Sequence, residues 1–368
     1  MRLLYLSPVP WASFAQRPHK FVEWWHRQYS AEVMWVEPYP ARFPGWRDVS
    51  RLRRLASRSR VLPPKWLRLH QPVPLPLEPL PGIGPVFAFA WRNLMKQCGS
   101  FVTGGECVLV VGKPSRLAQQ VVRAFPFHRT IYDAMDDFPA FHSGMSARVM
   151  KRCELALAAE VDTICVSSSA LAEKFGPLNP DVRLVRNACD PASLSEGVRR
   201  SDPSTNAIIG YVGTIGAWFD WTLVVALARA CPGTRIRLVG PVDVPCPDPL
   251  PPNIEMRPPC PHDEAMREMA GFSVGLIPFR LTPLTASVDP IKYYEYAALG
   301  VPVLTTRFGE MRHRLMCPGV FGVDHDTELA AVVSEALAWR AEPSATKQFR
   351  AENSWDSRFA AVELGRHV

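Results

Sequence analysis

The chain has 368 residues, more than one hydrophobic core ordinarily organises, so two domains of roughly 150–200 residues each are expected. With 47% hydrophobic and 21% charged residues the composition excludes a disordered chain, and the 37 prolines gather at element ends and in loops. No run approaches the ~18 apolar residues of a membrane-spanning helix, and the apolar stretch from Leu3 to Leu6 is too short for a secretory signal. The nine cysteines include no Cys-x-x-Cys pair, which fits reduced thiols and a cytoplasmic location.

In chain order, strands are predicted over 3–7 and 32–36, with a helix over 18–29 between them. The formal charge of +7 has a local source after that point. Arg47, Arg51, Arg53, Arg54, Arg58, Arg60, Lys65 and Arg68 are interleaved with Trp46, Val49, Leu52, Leu55, Trp66 and Leu67. That mixture over 46–69 reads as a segment lying on an anionic membrane surface, or more plainly as a solvated helix face. Strands over 108–111, 130–132 and 163–166 then alternate with helices beginning at Ser115, over 147–159 and at 167–169. A strand over 182–185 closes the first half. Residues 190–206 are polar and read as a linker.

The pattern restarts with strands over 207–212, 235–239, 254–256, 274–277 and 301–305. Helices are predicted over 221–230, 263–269, 291–299, 327–337 and 354–364. Two α/β halves imply two doubly wound, Rossmann-like domains, 1–190 and 205–351, with a terminal helix over 352–368 returning to the first. A ligand cleft is expected between them, at the carboxyl ends of the strands.

Three groups of residues carry chemistry. Gly210, Gly213-Thr214-Ile215-Gly216 follows a strand and precedes a helix, where glycines let backbone amides approach a phosphate. A glycine turn with no ligand explains the same spacing. In Asp289-Pro290-Ile291-Lys292-Tyr293-Tyr294-Glu295, Lys292 and Glu295 share one helix face. Lys292 opposes the helix dipole in the first turn, which an anionic diphosphate would compensate, and Glu295 can accept from a ribose diol. A surface ion pair is the plainer account. Asp133, Asp136 and Asp137 crowd the end of a strand, and crowded carboxylates raise one another's pKa, as a general base requires. The alternatives are a helix N-cap or a metal site, and an Asp-Asp pair without a nearby His or Cys is a poor transition-metal site.

The run Pro290-x-Lys292-x-x-Glu295-Tyr296-x-Ala298-x-Gly300-x-Pro302-Val303 resembles the donor-site signature of bacterial GT-B glycosyltransferases, chiefly family four and the teichuronic-acid and xanthan-type enzymes. Arg186-Asn187-Ala188-Cys189-Asp190, Arg237-Leu238-Val239-Gly240, the segment ending Pro278-Phe279, and Asn353-Ser354-Trp355 are similar to other pieces of that family, in the same order. The resemblance implies a GT-B fold and transfer of a sugar from a nucleotide diphosphate sugar, a UDP-sugar in preference to a GDP-sugar. The acceptor it implies is a glycan or lipid-linked glycan of bacterial envelope or exopolysaccharide assembly. It implies donor contacts at Gly213, Thr214, Gly216, Pro278, Phe279, Ile291, Lys292 and Glu295, and a base at Asp136 or Asp137. Gln16-Arg17-Pro18-His19 resembles the start of the family's first helix, which makes Arg17 and His19 candidate cleft residues, and His262 stands where relatives hold the nucleotide base.

One departure bears on stereochemistry: retaining members usually carry a Glu where Ser287 stands, so retention is not carried over and the choice between inversion and retention stays open, an inverting displacement from an aspartate base requiring no metal or cofactor. Two rivals remain, a GT-B-fold sugar-nucleotide epimerase and a non-catalytic nucleotide-sugar-binding protein. Nucleotide diphosphate release only on addition of an acceptor separates them. No recognised nucleic-acid module is present, and attachment to the inner membrane face is expected through 46–69.

Overall fold

Short β-branched and leucine-rich runs flanked by proline, serine and glycine become buried parallel strands, and the amphipathic stretches between them become helices. The computed structural model describes residues 1–13, 15–39, 62–72, 89–193 and 207–362. The chain divides into two compact units, Met1–Val185 and Arg186–Val368. The turn Arg186–Asp190, expected to end the first half, thus belongs to the second, as does the described part of the terminal helix.

In the first unit the elements are β1 (Arg2–Leu6), α1 (Arg17–Tyr29), β2 (Glu32–Val36), β3 (Leu67–His70), α2 (Arg92–Val102), β4 (Cys107–Val111), α3 (Arg116–Ala124), β5 (Arg129–Ala134), α4 (Gly144–Glu160), β6 (Thr163–Val166), α5 (Ser169–Phe175) and β7 (Val182–Leu184). The strands pair in the order β3-β2-β1-β4-β5-β6-β7, all parallel. Helix starts follow from local chemistry: the Ser115 and Ser168 hydroxyls accept from the amides of Ala118 and Leu171, capping α3 and α5.

In the second unit they are β8 (Ile208–Val212), α6 (Trp221–Ala230), β9 (Arg235–Val239), β10 (Ile254–Arg257), α7 (His262–Ala270), β11 (Val274–Ile277), α8 (Ile291–Ala298), β12 (Val303–Thr305), β13 (Val320–Gly322), α9 (Leu329–Ala338), α10 (Pro343–Glu352) and α11 (Trp355–Ala360). Their order is β10-β9-β8-β11-β12-β13, again parallel. In each sheet the strand order reverses beside the first strand, between β1 and β4 and between β8 and β11. Such switch points open a crevice beyond the carboxyl ends of the strands.

Most of the basic stretch, residues 40–61, and linker residues 194–206 lie outside the described residues. The end of the stretch corrects the expectation of one membrane segment over 46–69. Leu67–His70 is the edge strand β3, Arg68 bonds Glu32 at 2.9 Å, and the Trp66 ring stacks on His26 at 4.4 Å. These side chains complete the first unit. Among the described residues no helix is long and apolar enough to cross a membrane.

Candidate functional site

At the end of β5 the structure separates the three aspartates. Asp133 is buried and bound by Arg17, whose Nε lies 3.0 Å and Nη2 2.7 Å from Oδ1, while Arg17 Nη1 donates to the Val185 carbonyl at 2.6 Å. Burial opposes the Arg17 charge, but Asp133 more than offsets it, and the guanidinium is held above its ordinary value. Arg17 therefore ties β5 to the Val185 carbonyl within the first unit. His19 is also buried: Nδ1 accepts from the Gln16 amide at 3.2 Å and Nε2 donates to the Trp11 carbonyl at 3.1 Å. Burial lowers its pKa, so it sits as a neutral cap for the start of α1. Among the described residues, the partners named for both candidate cleft residues lie within the first unit.

Asp137 accepts from Lys174 Nζ at 2.8 Å, and the same ammonium bonds Glu154 at 2.5 Å. Glu154, fully buried on α4, also accepts from the Tyr132 hydroxyl at 3.0 Å. Asp136 stands apart. Among the described residues its carboxylate makes no hydrogen bond or ion pair, and burial raises its pKa to about 7, against Arg17 and with the help of Asp137 and Asp133. A half-buried carboxyl with a proton affinity near neutrality and free oxygens is equipped to take a proton from a hydroxyl.

In the second unit the loops after β8 and β11 come together beside the switch point. Phe219 bridges Phe279, the Asp220 amide donates to the Pro278 carbonyl at 2.8 Å, and the Arg280 amide to the Trp218 carbonyl at 2.7 Å. Gly240 has φ 143°, and a Cβ there would lie 2.1 Å from the Gly213 carbonyl oxygen, so the two glycine turns pack backbone to backbone.

This packing corrects part of the phosphate-loop expectation. The Gly213 amide donates to Val239 and the Ile215 amide to Pro241, each at 2.9 Å, and the Thr214 carbonyl accepts from Tyr211. Helix α6 starts only at Trp221, where the Asp220 carboxylate accepts from the Leu223 amide at 3.0 Å. An acidic cap already answers that helix dipole. His262 opens α7 and is exposed.

Helix α8 is different. Pro290 precedes it and no side chain caps it. Lys292 Nζ lies 2.6 Å from Glu295 Oε2, and Glu295 is buried. Gly300, at φ 69°, lets the chain leave the helix, with the Val301 amide returning to the Tyr296 carbonyl at 2.9 Å. The segment before the helix is fixed by groups the sequence did not single out. Buried Asp289 accepts from Arg314 at 2.6 Å, the Asn187 amide at 2.7 Å and Tyr294 at 3.0 Å, and Asn187 Nδ2 donates to the Asp289 carbonyl at 2.6 Å. Burial raises the Asp289 pKa and Arg314 pulls it back. Ser287 is buried, and its hydroxyl has no hydrogen-bond partner among the described residues. Gly309, at φ 41°, brings the next loop against this segment: a Cβ there would meet the Val288 carbonyl at 2.3 Å.

Two parallel sheets of seven and six strands, each Rossmann-like in order, make this a GT-B fold. The sucrose-phosphate synthase of Thermosynechococcus elongatus superposes with a TM-score of 0.69 at 14% identity, over 98% of this chain and 96% of that one. HepE of Anabaena, solved in complex with UDP and glucose, gives 0.58 at 12% identity over 98% and 95%. The lipopolysaccharide outer core galactosyltransferase WaaB gives 0.62 at 8% identity over 98% and 99%. In sequence the chain is similar to the putative teichuronic acid biosynthesis glycosyltransferase TuaH of Bacillus subtilis, 26% identical over 237 residues, and is a distant homologue of it. The match covers 58% of this chain and 59% of that protein. No protein-family model matches.

Proposed function

We propose that the protein transfers a sugar from a nucleotide diphosphate sugar, with UDP as the favoured nucleotide, to a glycan or lipid-linked acceptor. The process would be teichuronic-acid-like or exopolysaccharide assembly at the inner membrane face. The carrying observation is the Lys292–Glu295 pair, 2.6 Å apart, on a helix whose N-terminus has no side-chain cap. The first-turn amides and Lys292 suit a diphosphate, and a ribose diol can replace the ammonium on Glu295. The Ser287 hydroxyl, Pro278 and Phe279 are assigned to the donor as well. Thr214 and Gly216 stay in the donor set as backbone contacts, and Ile291 as the first residue of α8.

In this reading Asp136 takes the proton of an acceptor hydroxyl. The oxygen attacks the anomeric carbon, the bond to the diphosphate breaks, and the nucleotide diphosphate leaves with the bonding electrons. Lys292 and the α8 dipole stabilise its developing charge. Direct displacement inverts the anomeric carbon and invokes no metal. The similarity to TuaH and the UDP and glucose in the HepE structure support the substrate class.

The test is nucleotide release from a panel of nucleotide diphosphate sugars, with and without an acceptor glycan. Release that requires acceptor is expected. Turnover to an isomerised sugar nucleotide without acceptor would establish the epimerase instead, and binding without turnover under both conditions would leave only a binding protein.

A further inference from the structure

The outer face of α4 answers a question the basic stretch left open. On its inner face Met150, Cys153, Glu154, Leu157 and Ala158 are buried. Met145, Arg148, Arg152 and Leu155 recur at helical spacing on the opposite face, with Lys151 at its edge, and all five are exposed. Exposed Phe141 ends the turn that packs on the start of this helix.

Two features distinguish this face from an ordinary solvated one. Its apolar side chains are large and open to water, Met145 at 56% and Leu155 at 36% exposure, and Phe141 in the preceding turn is 50% exposed. Its three cations have no ion-pair partner among the described residues, and no acid shares the face. The two acids of α4 are engaged elsewhere, Glu154 inward with Lys174 and Glu160 with Arg123. Isolated apolar residues need no explanation, but Met145 and Leu155 interleaved with unpaired cations on one helix side, with exposed Phe141 in the turn just before the helix, form an interfacial pattern.

We infer that the α4 face, with Phe141, docks the protein on an anionic phospholipid surface. The cations meet lipid phosphates while Phe141, Met145 and Leu155 enter the headgroup layer, a use for the apolar groups that a nucleic-acid backbone does not offer. The turn bearing Phe141 directly follows Asp136 and Asp137, so the proposed base and the docking surface are neighbours in one segment. The inference deepens the lipid-linked reading above and rests on it for its purpose, though vesicle binding needs no turnover.

Each cation close to an anionic surface strengthens partitioning about fivefold, so three account for about a hundredfold. The experiment is flotation of the full chain with vesicles of phosphatidylcholine alone or mixed with phosphatidylglycerol, at low and high salt. Binding only to the anionic vesicles, lost at high salt, is expected. Arg148→Gln/Lys151→Gln/Arg152→Gln should weaken it about a hundredfold, and Phe141→Ser/Met145→Ser should weaken it at either salt. Nucleotide calorimetry on each variant checks that the fold is intact.

Wild-type retention by the triple variant overturns the inference, and so does equal flotation with both vesicles or with neither. If Arg51→Gln/Arg53→Gln/Arg54→Gln/Arg58→Gln abolishes flotation while the α4 variants do not, docking belongs to the basic stretch. Flotation as described without acceptor-dependent nucleotide release would sink the transferase reading and leave the docking surface standing.

Discussion

Replacing Asp136 by Asn should lower turnover and raise stability together, a combination that a structural carboxylate cannot produce. Burial lifts its pKa from the ordinary 3.8 to about 7. Between those values the folded protein holds a proton that the unfolded chain releases, so ionising Asp136 destabilises the native state progressively as pH rises. Each tenfold change in proton affinity is worth about 1.4 kcal/mol, which sets an upper bound of about 4 kcal/mol on the penalty at pH 8. The residue as a whole is only half-buried, so the realised figure is smaller. Asn carries no such penalty. Urea unfolding of wild type and Asp136→Asn should therefore give curves close together at about pH 4, with the variant gaining on wild type up to about pH 8. Its turnover should fall by about a hundredfold or more, as loss of a general base does, with donor affinity unchanged. In wild type the rate should climb with pH through about 7. A variant that is no more stable relative to wild type at pH 8 than at pH 4 would refute the electrostatic argument, and one with normal turnover would remove Asp136 from the mechanism.

Asp137→Asn should behave differently, since it deletes a negative charge that helps raise Asp136: the midpoint of the pH–rate profile should move down while turnover above it stays near wild type. An unchanged midpoint would show that Asp137 does not act on Asp136. Lys292→Ala and Glu295→Ala should each weaken nucleotide diphosphate binding by about 1.5–3 kcal/mol in calorimetry, without unfolding the chain. Arg314→Met strands the buried Asp289 carboxylate and should cost about 3–5 kcal/mol in denaturation, most of it recovered by adding Asp289→Asn. Failure of the double variant to recover would mean that the pair stabilises the fold by more than mutual neutralisation.

Much of the scaffold was legible because period and punctuation agreed. The strands over 163–166 and 274–277 fall where short, mostly apolar runs meet turn residues, the strand over 235–239 alternates arginine with apolar residues before Gly240, and α6 occupies 221–230. The missed elements lack those signals. β3 is a four-residue edge strand carrying Arg68 and His70. Helix α2 begins without a side-chain cap and contains Gly99, α10 buries no residue, and β13 has three residues.

The candidate site divides along the same physical line. Lys292 and Glu295 were readable because three residues of helix fix their geometry whatever surrounds them. Arg17 with Asp133 was not, since 116 residues separate partners that only the sheet brings together, and an Arg beside a Pro at a helix start looks the same whether it faces a ligand or a buried acid. The choice between Asp136 and Asp137 is the sharper case. Two adjacent carboxylates are alike in sequence, and the difference comes from one ammonium 37 residues away, Lys174, itself held by Glu154 on α4. That ammonium engages Asp137 and leaves the oxygens of Asp136 free. Because Glu154 lies on the inner side of the helix whose outer side carries Arg148, Lys151 and Arg152, the element assigned to the membrane also decides which aspartate is left to accept a proton.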